Sequence, residues 1–155
     1  MKKNVISIIL ILSVVFAGYG QSANDNGLIT LLSAYPVKET ADRFVETVTT
    51  KGLTVFARID HAANALKQGI ELRPTELVVF GNPKAGTPLM QDNQVAGIDL
   101  PLKILVWEDE NGKVWLTYND PNWIVERHGL SDKSLTAIKA MQEGLRGMTE
   151  VVVKK

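Results

Sequence analysis

The sequence predicts an α+β fold, with a single antiparallel-rich sheet and its helices on one side, and three observations carry that prediction. Apolar or alternating segments of strand length recur along the chain, and longer segments have apolar residues at helical spacing. The dipeptide Asn111-Gly112 between two strand segments marks a tight hairpin. The order of a strand, a helix, several strands and a final helix is typical of one α+β domain.

The first half of the domain is predicted to consist of strand, helix, strand and short helix. Residues 28 to 33 are apolar at strand length, and apolar residues at helical spacing follow between positions 37 and 48. Positions 53 to 61 alternate with a period of two, so His61 is expected on the same aliphatic face as positions 53, 55, 57 and 59. Asp60 is the expected N-cap of the short helix that follows.

The second half is predicted to add three strands and the remaining helices. Residues 76 to 80 form a strand that ends at the Gly-Asn-Pro turn, and Thr87 is the expected N-cap of a short helix. The last two strands span residues 102 to 108 and 113 to 118. Helices are expected over residues 122 to 130 and after Ser131, with a buried stripe that begins at Leu135.

Both faces of the predicted hairpin carry apolar side chains. A two-residue turn at Asn111-Gly112 sets Trp107 opposite Leu116 and Leu105 opposite Tyr118. A sheet with one solvated face would alternate more cleanly than this. The second face therefore needs a cover, which is a longer helix, a partner subunit or a ligand, although a turn of three to five residues would change the register.

The N-terminal segment has the layout of a secretory signal peptide. Two lysines precede an apolar run over positions 5 to 17, and small residues follow it. We expect cleavage after Gly20, or as late as position 23, which leaves one domain over residues 28 to 153. The expected location is the periplasm or the cell exterior, with no membrane attachment after cleavage.

The composition excludes several classes of function. The chain has 17 basic and 17 acidic residues without a basic run, so no nucleic-acid partner is expected. The lack of cysteine removes disulfides, thiol nucleophiles and thiolate metal ligands. With only His61 and His128 as imidazoles, no metal site is expected. Haem ligation by His61, with Met90 as the opposite ligand, is not favoured because the chain lacks the cysteine motif for haem attachment. The sequence does not identify a cofactor.

Two pairs of polar residues at element ends are candidates for chemistry. Asp60 and His61 form an acid-base pair at a strand end, or Asp60 only caps a helix while His61 packs in the core. Asn82 and Lys84 lie in a glycine-rich turn that would offer backbone amides and a charge to an anion. That turn lacks the Lys and Ser or Thr of a P-loop, and an ordinary turn explains its glycines equally well.

The tryptophan hairpin is the third candidate. Trp107 and Tyr118 would line a cavity for an apolar or aromatic ligand, with the Tyr118 hydroxyl as its polar group. Cross-strand aromatic packing accounts for them equally well. The sequence alone leaves both interpretations open.

Three blocks of this chain resemble the bacterial and archaeal family known as domain of unknown function 302. They are FARIDHAANALKQGIELRPTELVVFGNPKAGTPLM, GIDLPLKILVWEDENGKVWLTYNDP and ERHGL. The resemblance implies a TATA-box-binding-protein-like arrangement of a strand, a helix, four strands and a helix. It implies topology only, with neither DNA binding nor an established active site.

We therefore expect an exported module that binds a small ligand between sheet and helices. An acid-base enzyme that acts on a small anion through Asp60 and His61 is the second hypothesis, and whether the protein is an enzyme stays open. A homodimerising domain, whose second sheet face is covered by its own copy, is the third. The predicted ligand-binding residues are His61, Asn82, Lys84, Trp107 and Tyr118.

Overall fold

A five-stranded antiparallel sheet is the centre of the computed structural model, which describes residues 26 to 155. Its spatial order is β1-β5-β4-β3-β2, so β1 and β2 are the edge strands. This confirms the α+β prediction, whereas the expected signal peptide lies outside the described residues. The strands are β1 (Leu28–Ser33), β2 (Thr54–Asp60), β3 (Thr75–Gly81), β4 (Leu102–Glu108) and β5 (Val114–Asn119).

Two long helices pack on one face of the sheet, which we call the inner face. The first helix and the last one bury apolar stripes there, and Phe44 meets Phe80 edge to face with ring centroids 4.9 Å apart. None of the described helices is both long and apolar enough to cross a membrane. The helices are α1 (Val37–Thr50), α2 (His61–Leu66), α3 (Pro83–Asp92), α4 (Pro121–His128) and α5 (Leu135–Val153).

A smaller apolar cluster lies beyond the end of the sheet, under α3 and α4. Leu89 of α3, Ile124 of α4 and Ile138 of α5 are buried together in it. A short 3-10 turn, Gln94–Asp99, connects α3 to β4 and contributes Ala96 to the same cluster. Leu102 at the start of β4 packs against both clusters, so the two cores meet at this end of the sheet.

The strict alternation predicted for β2 is wrong because the strand contains a β-bulge. The pairing register with β3 shifts between Val55 and Ala57, which leaves Phe56 as the extra residue. Val55 therefore packs in the core, while Ala57 and Ile59 point to the opposite face. The prediction for His61 is also wrong, since this residue begins α2 and is exposed.

The predicted two-residue hairpin turn is wrong as well. Asp109 and Lys113 close a longer turn through a backbone hydrogen bond of 2.9 Å from Asp109 N to Lys113 O, and Gly112 adopts a φ of 74°. The Asp109 carboxylate accepts hydrogen bonds from the backbone N–H groups of Asn111 and Lys113. A side chain that binds the turn backbone thus outweighs the Asn-Gly preference.

This longer turn shifts the pairing register between β4 and β5. As a result, the residues of the two strands are divided differently between the two faces of the sheet. Trp107 lies opposite Trp115, and Leu105 lies opposite Thr117. Both pairs are on the outer face of the sheet, which is the face away from α1 and α5. The inner face of the same two strands carries the buried residues Ile104, Val106, Val114, Leu116 and Tyr118.

Two helix starts also differ from the prediction. Helix α3 begins at Pro83, five residues before the expected Pro88, because the Asn82 side chain accepts a hydrogen bond of 2.9 Å from Lys84 N and caps the helix there. Ser131 caps a 3-10 turn, Asp132–Ser134, rather than the last helix itself. Leu135 at the start of α5 is therefore 46% exposed instead of buried.

Candidate functional site

An apolar cavity of about 390 Å³ lies where the two cores meet, between the end of the sheet, α3 and α5. Its volume falls in the lower part of the range for small-molecule sites, which is roughly 300 to 1,000 Å³. The sheet side consists of the ends of β2, β3 and β4. The lining residues are Leu53, Phe56, Phe80, Gly81, Asn82, Pro83, Ala85, Gly86, Thr87, Met90, Leu100, Pro101, Leu102, Ala140, Met141, Gly144, Leu145 and Met148.

The bulge in β2 supplies the aromatic wall of the cavity. Phe56 is the extra residue of the bulge and has no partner residue in β3. Its ring lies near the end of β3, where it lines the cavity and is 50% exposed. The ring passes close to Gly81, where an added Cβ would be in ordinary van der Waals contact with it at 3.7 Å. Phe80 completes this wall from the inner face.

Helix α5 forms the opposite wall with large apolar side chains and a glycine. Met141, Leu145 and Met148 are buried on its inner stripe. Gly144 also lines the cavity, and a Cβ built there would meet no atom within 4 Å. A glycine inside a helix costs about 0.5 to 1 kcal/mol relative to alanine. The helix thus leaves space beside the cavity at the expense of some stability.

Three of the four methionines in the chain line this cavity. Met90 comes from α3, while Met141 and Met148 come from α5. Unbranched thioether side chains adapt to irregular apolar shapes and make favourable contacts with aromatic rings. The lining includes no Asp, Glu, Lys, Arg or His among the described residues. Its chemistry therefore suits an uncharged, apolar molecule.

The polar groups at the start of α3 are already used by the helix itself. Asn82 accepts from Lys84 N through its side chain, and its carbonyl accepts from Ala85 N at 2.9 Å and Gly86 N at 3.1 Å. These first-turn N–H groups would have been the donors for an anion. The proposed anion cradle is therefore not present, and Lys84 is exposed beside the cavity without lining it.

Asp60 and His61 lie at the other end of the sheet from Asn82. Asp60 pairs with Glu76 at the start of β3, whereas Gly81 at its end pairs with Thr54. Five residues of strand separate these positions by about 17 Å. The expected convergence of His61 with the turn at Asn82 is therefore wrong.

The Asp60 carboxylate caps α2 by accepting from Ala63 N at 2.8 Å, and His61 is exposed. This is the purely structural role that the sequence allowed for Asp60. An acid-base enzyme built on this pair gains no support from the arrangement.

Trp107 and Tyr118 lie on opposite faces of the sheet, and neither lines the cavity. Trp107 stacks against Trp115 on the outer face with ring centroids 6.4 Å apart. Tyr118 is buried on the inner face, where burial raises the pKa of its hydroxyl above the usual range, against a smaller opposing effect from a hydrogen bond with Thr149. Of the five predicted ligand-binding residues, only Asn82 lines the cavity.

The structure contains a second Asp-His pair that was not predicted from the sequence. His128 Nε2 lies 2.6 Å from Asp99 Oδ2, and the imidazole is only 6% exposed. Arg127 Nη1 contacts the other oxygen of Asp99 at 3.3 Å, and Asn93 donates to the His128 carbonyl at 2.8 Å. The pair ties the end of α4 to the 3-10 turn and does not line the cavity. Its members are 29 residues apart, so no local motif marks it.

The residues that do line the cavity carried weak signals in the sequence. Met141 and Met148 recur at helical spacing, which indicated a buried stripe without a cavity. Gly144 weakens the helix in which it lies, because an interior glycine costs about 1 kcal/mol relative to alanine, but that cost alone does not indicate a cavity. Among residues 26 to 155, no group of three or more His, Asp or Glu side chains is placed to hold a metal ion.

The sequence model of the family described as domain of unknown function DUF302 matches residues 29 to 150. The chain belongs to this family. The resemblance drawn from the three sequence blocks is thereby confirmed. A crystal structure of an uncharacterized conserved DUF302 protein from Bacillus stearothermophilus superposes with a TM-score of 0.73 at 17% identity. It covers 83% of this chain and 98% of that one, and at this identity the likeness concerns the fold alone.

Curated relatives of this DUF302 chain include much longer proteins. Fluoride-specific ion channel FluC 1 of Brucella suis biovar 1 is 49% identical over 126 residues, which are 81% of this chain and 50% of that protein. Fluoride-specific ion channel FluC 2 of Brucella melitensis biotype 1 is also 49% identical, over 81% of this chain and 47% of its own length. The chain thus spans about half the length of the curated relatives it matches.

Proposed function

We propose that this domain is an exported small-ligand-binding module, and that its ligand is an uncharged, largely apolar molecule held in the cavity between α3 and α5. The observation that carries the proposal is the cavity of about 390 Å³ with its uncharged, methionine-rich lining. Export is supported by the two lysines and the apolar run of the N-terminal segment. Fluoride conduction is named for relatives of which this chain matches only about half the length, and it forms no part of the proposal.

The cavity volume limits the size and the affinity of the ligand. At roughly 30 Å³ per water-sized group, 390 Å³ holds about a dozen non-hydrogen atoms. If each atom contributes about 0.5 kcal/mol, which lies between the limits for small and drug-sized ligands, the binding free energy is about −6 kcal/mol. That free energy corresponds to a Kd of some tens of micromolar.

The methionines offer a direct test of the proposal. Protein labelled with methyl-13C methionine gives one signal for each of Met90, Met141 and Met148, all of which line the cavity. Titration with naphthalene and with 1-decanol should shift these three signals with a saturable dependence on concentration. Decanoate, which carries a charge that the lining does not match, should bind more weakly than 1-decanol.

Two outcomes would contradict the proposal. Methionine signals that stay unchanged at the solubility limit of both probes would mean that the cavity does not admit apolar molecules. Equal binding of decanoate and 1-decanol would mean that the lining does not discriminate against charge. Native mass spectrometry of the protein purified from its own cells would then show which small molecule, if any, is retained.

A further inference from the structure

The outer face of the sheet is apolar and is not covered by α1 or α5. One row of residues crosses all five strands in register, from Ile59 through Leu77, Leu105 and Thr117 to Thr30. A second row contains Trp107, Trp115 and Leu32, and a third contains Ala57, Val79 and Lys103. The two long helices that pack on the sheet both lie on the inner face.

The side chains of the outer face are partly exposed to solvent, unlike most of those on the inner face. Leu77, Leu105 and Trp107 are each partly exposed, whereas their neighbours Val78, Ile104 and Val106 on the inner face are fully buried. Leu32 at the edge is 50% exposed. The largest contiguous apolar patch on a typical monomer is about 300 to 600 Å² and is often functional, so this face is a candidate interaction surface.

The polar groups on the outer face are already paired within the sheet. The Trp107 indole N–H donates to Thr117 Oγ1 at 2.9 Å, and the hydroxyls of Thr117 and Thr30 lie 3.1 Å apart. The Trp115 indole N–H donates to Asp109 Oδ2 at 2.8 Å. These side-chain donors are therefore not available to bind a sugar or an extended peptide. The face suits an apolar partner that requires no hydrogen bonds across the interface.

The charges around this face also favour a partner with little net charge. The ammonium of Lys103 reaches back to the Asp99 carbonyl at 3.4 Å, at the end of the sheet, and leaves the central row uncharged. After the expected cleavage at Gly20, which removes Lys2 and Lys3, the chain has 15 basic and 17 acidic residues and a formal net charge of −2. Two copies would therefore approach with little long-range repulsion.

From these observations we propose that the outer face is a homodimer interface, in which the sheets of two copies pack face to face about a twofold axis. A second copy presents the same twisted apolar surface, as an isologous contact requires. Two such sheets pack about 10 Å apart with their strands inclined by roughly 30°. Leu77 and Leu105, on adjacent strands near the middle of the face, are then at the centre of the interface.

The area of the face is sufficient for the core of such an interface. Five strands about 4.8 Å apart and about 17 Å long present roughly 350 Å² of flat area before side-chain relief is counted. A standard interface buries about 800 Å² per partner, of which the polar rim forms a large part. The apolar rows thus match the central part of an interface of ordinary size.

The test is the oligomeric state of the full chain after expression, with its mass measured to define the N-terminus, by sedimentation velocity. Across about 1 to 100 µM, wild type should change from monomer to dimer or remain dimeric. Leu105→Glu places a charge at the interface centre and should raise the dimer Kd at least about 30-fold. Leu135→Glu is the matched control, because Leu135 is an exposed leucine on α5, on the other side of the sheet.

The outcomes separate the proposal from its alternatives. A wild type that is monomeric at the highest concentration overturns it, and co-purified lipid or another protein on such a monomer would identify a different occupant. Dimers that persist in Leu105→Glu, or that dissociate equally in Leu135→Glu, place the interface elsewhere and also overturn it. If Leu105→Glu does not fold, Leu32→Glu at the half-exposed edge decides instead, with a weaker dimer expected.

Discussion

Replacement of Gly144 by leucine is the sharpest test of the cavity, because the same change should improve the fold and impair binding. Gly144 lines the cavity, and a Cβ there meets no atom within 4 Å, so a side chain can enter without a clash. Gly147 lies one helical turn further along α5, also has no atom within 4 Å of an added Cβ, and does not line the cavity. Gly147→Leu is therefore a matched control.

The size of both effects follows from the positions of these glycines. Leucine is a better residue than glycine in a helix interior by roughly 0.8 kcal/mol, so each variant should be more stable than wild type by about that amount. A leucine side chain also occupies cavity space equal to about four CH₂ groups, each of which contributes about 0.8 kcal/mol to a bound apolar ligand. Binding to Gly144→Leu should thus weaken by about 3 kcal/mol, which is about 100-fold in Kd.

The assay combines urea unfolding with the methionine-methyl titration by naphthalene. We expect higher urea midpoints for both variants, unchanged affinity in Gly147→Leu and no saturation in Gly144→Leu. Equal affinities in the two variants would show that the ligand binds outside this cavity. A loss of stability in Gly144→Leu alone would mean that the space beside α5 is closed in solution, which would contradict the presence of an open cavity.

Three further variants test the local structure. Asn82→Ala removes the cap of α3 and should lower the free energy of unfolding by about 1 kcal/mol, whereas Asn82→Asp should retain most of it in urea melts. A hydrogen bond from Trp115 lowers the pKa of the Asp109 carboxyl, so its contribution to stability is present above about pH 4 and is lost as the pH falls through the lowered value. Asp109→Asn should therefore be less stable at pH 7 but lose less between pH 4 and pH 2, and parallel pH profiles of the urea midpoint would contradict this. His61→Ala should leave naphthalene affinity unchanged, because the imidazole lies at the far end of β2, and a large loss would restore it as a site residue.

Periodicity predicted the order of the main elements because apolar spacing reflects the face that each element buries. The segments that became β1 and α1 were predicted from that signal alone. The predictions fail where one residue changes the strand register or the length of a turn. The extra residue at Phe56 reverses the faces of β2, and the Asp109 carboxylate lengthens the hairpin turn. Neither effect is visible in a periodic pattern, because both depend on which backbone groups are bonded.

The candidate site was less predictable for a related reason. The site residues predicted from the sequence were mostly polar residues at element ends, and such side chains have local structural roles, as in the capping of α2 by Asp60 and of α3 by Asn82. The cavity is instead lined by apolar residues from distant segments, including Met90 and Met148. A single sequence does not show which distant segments contact each other. It therefore does not distinguish a methionine packed in the core from one that lines a cavity.

One local irregularity accounts for the separation of the two proposed surfaces. Without the bulge, the alternation of β2 would place Ala57 and Ile59 on the inner face with Val55. With it, Val55 remains in the core, Ile59 joins the apolar row of the outer face, and Phe56 lines the cavity at the strand end. The same inserted residue thus supplies apolar surface to the proposed dimer interface and an aromatic wall to the ligand cavity. Because the two surfaces lie on opposite faces of the sheet, a charge at Leu105 and a side chain at Gly144 should act independently on dimerisation and on binding.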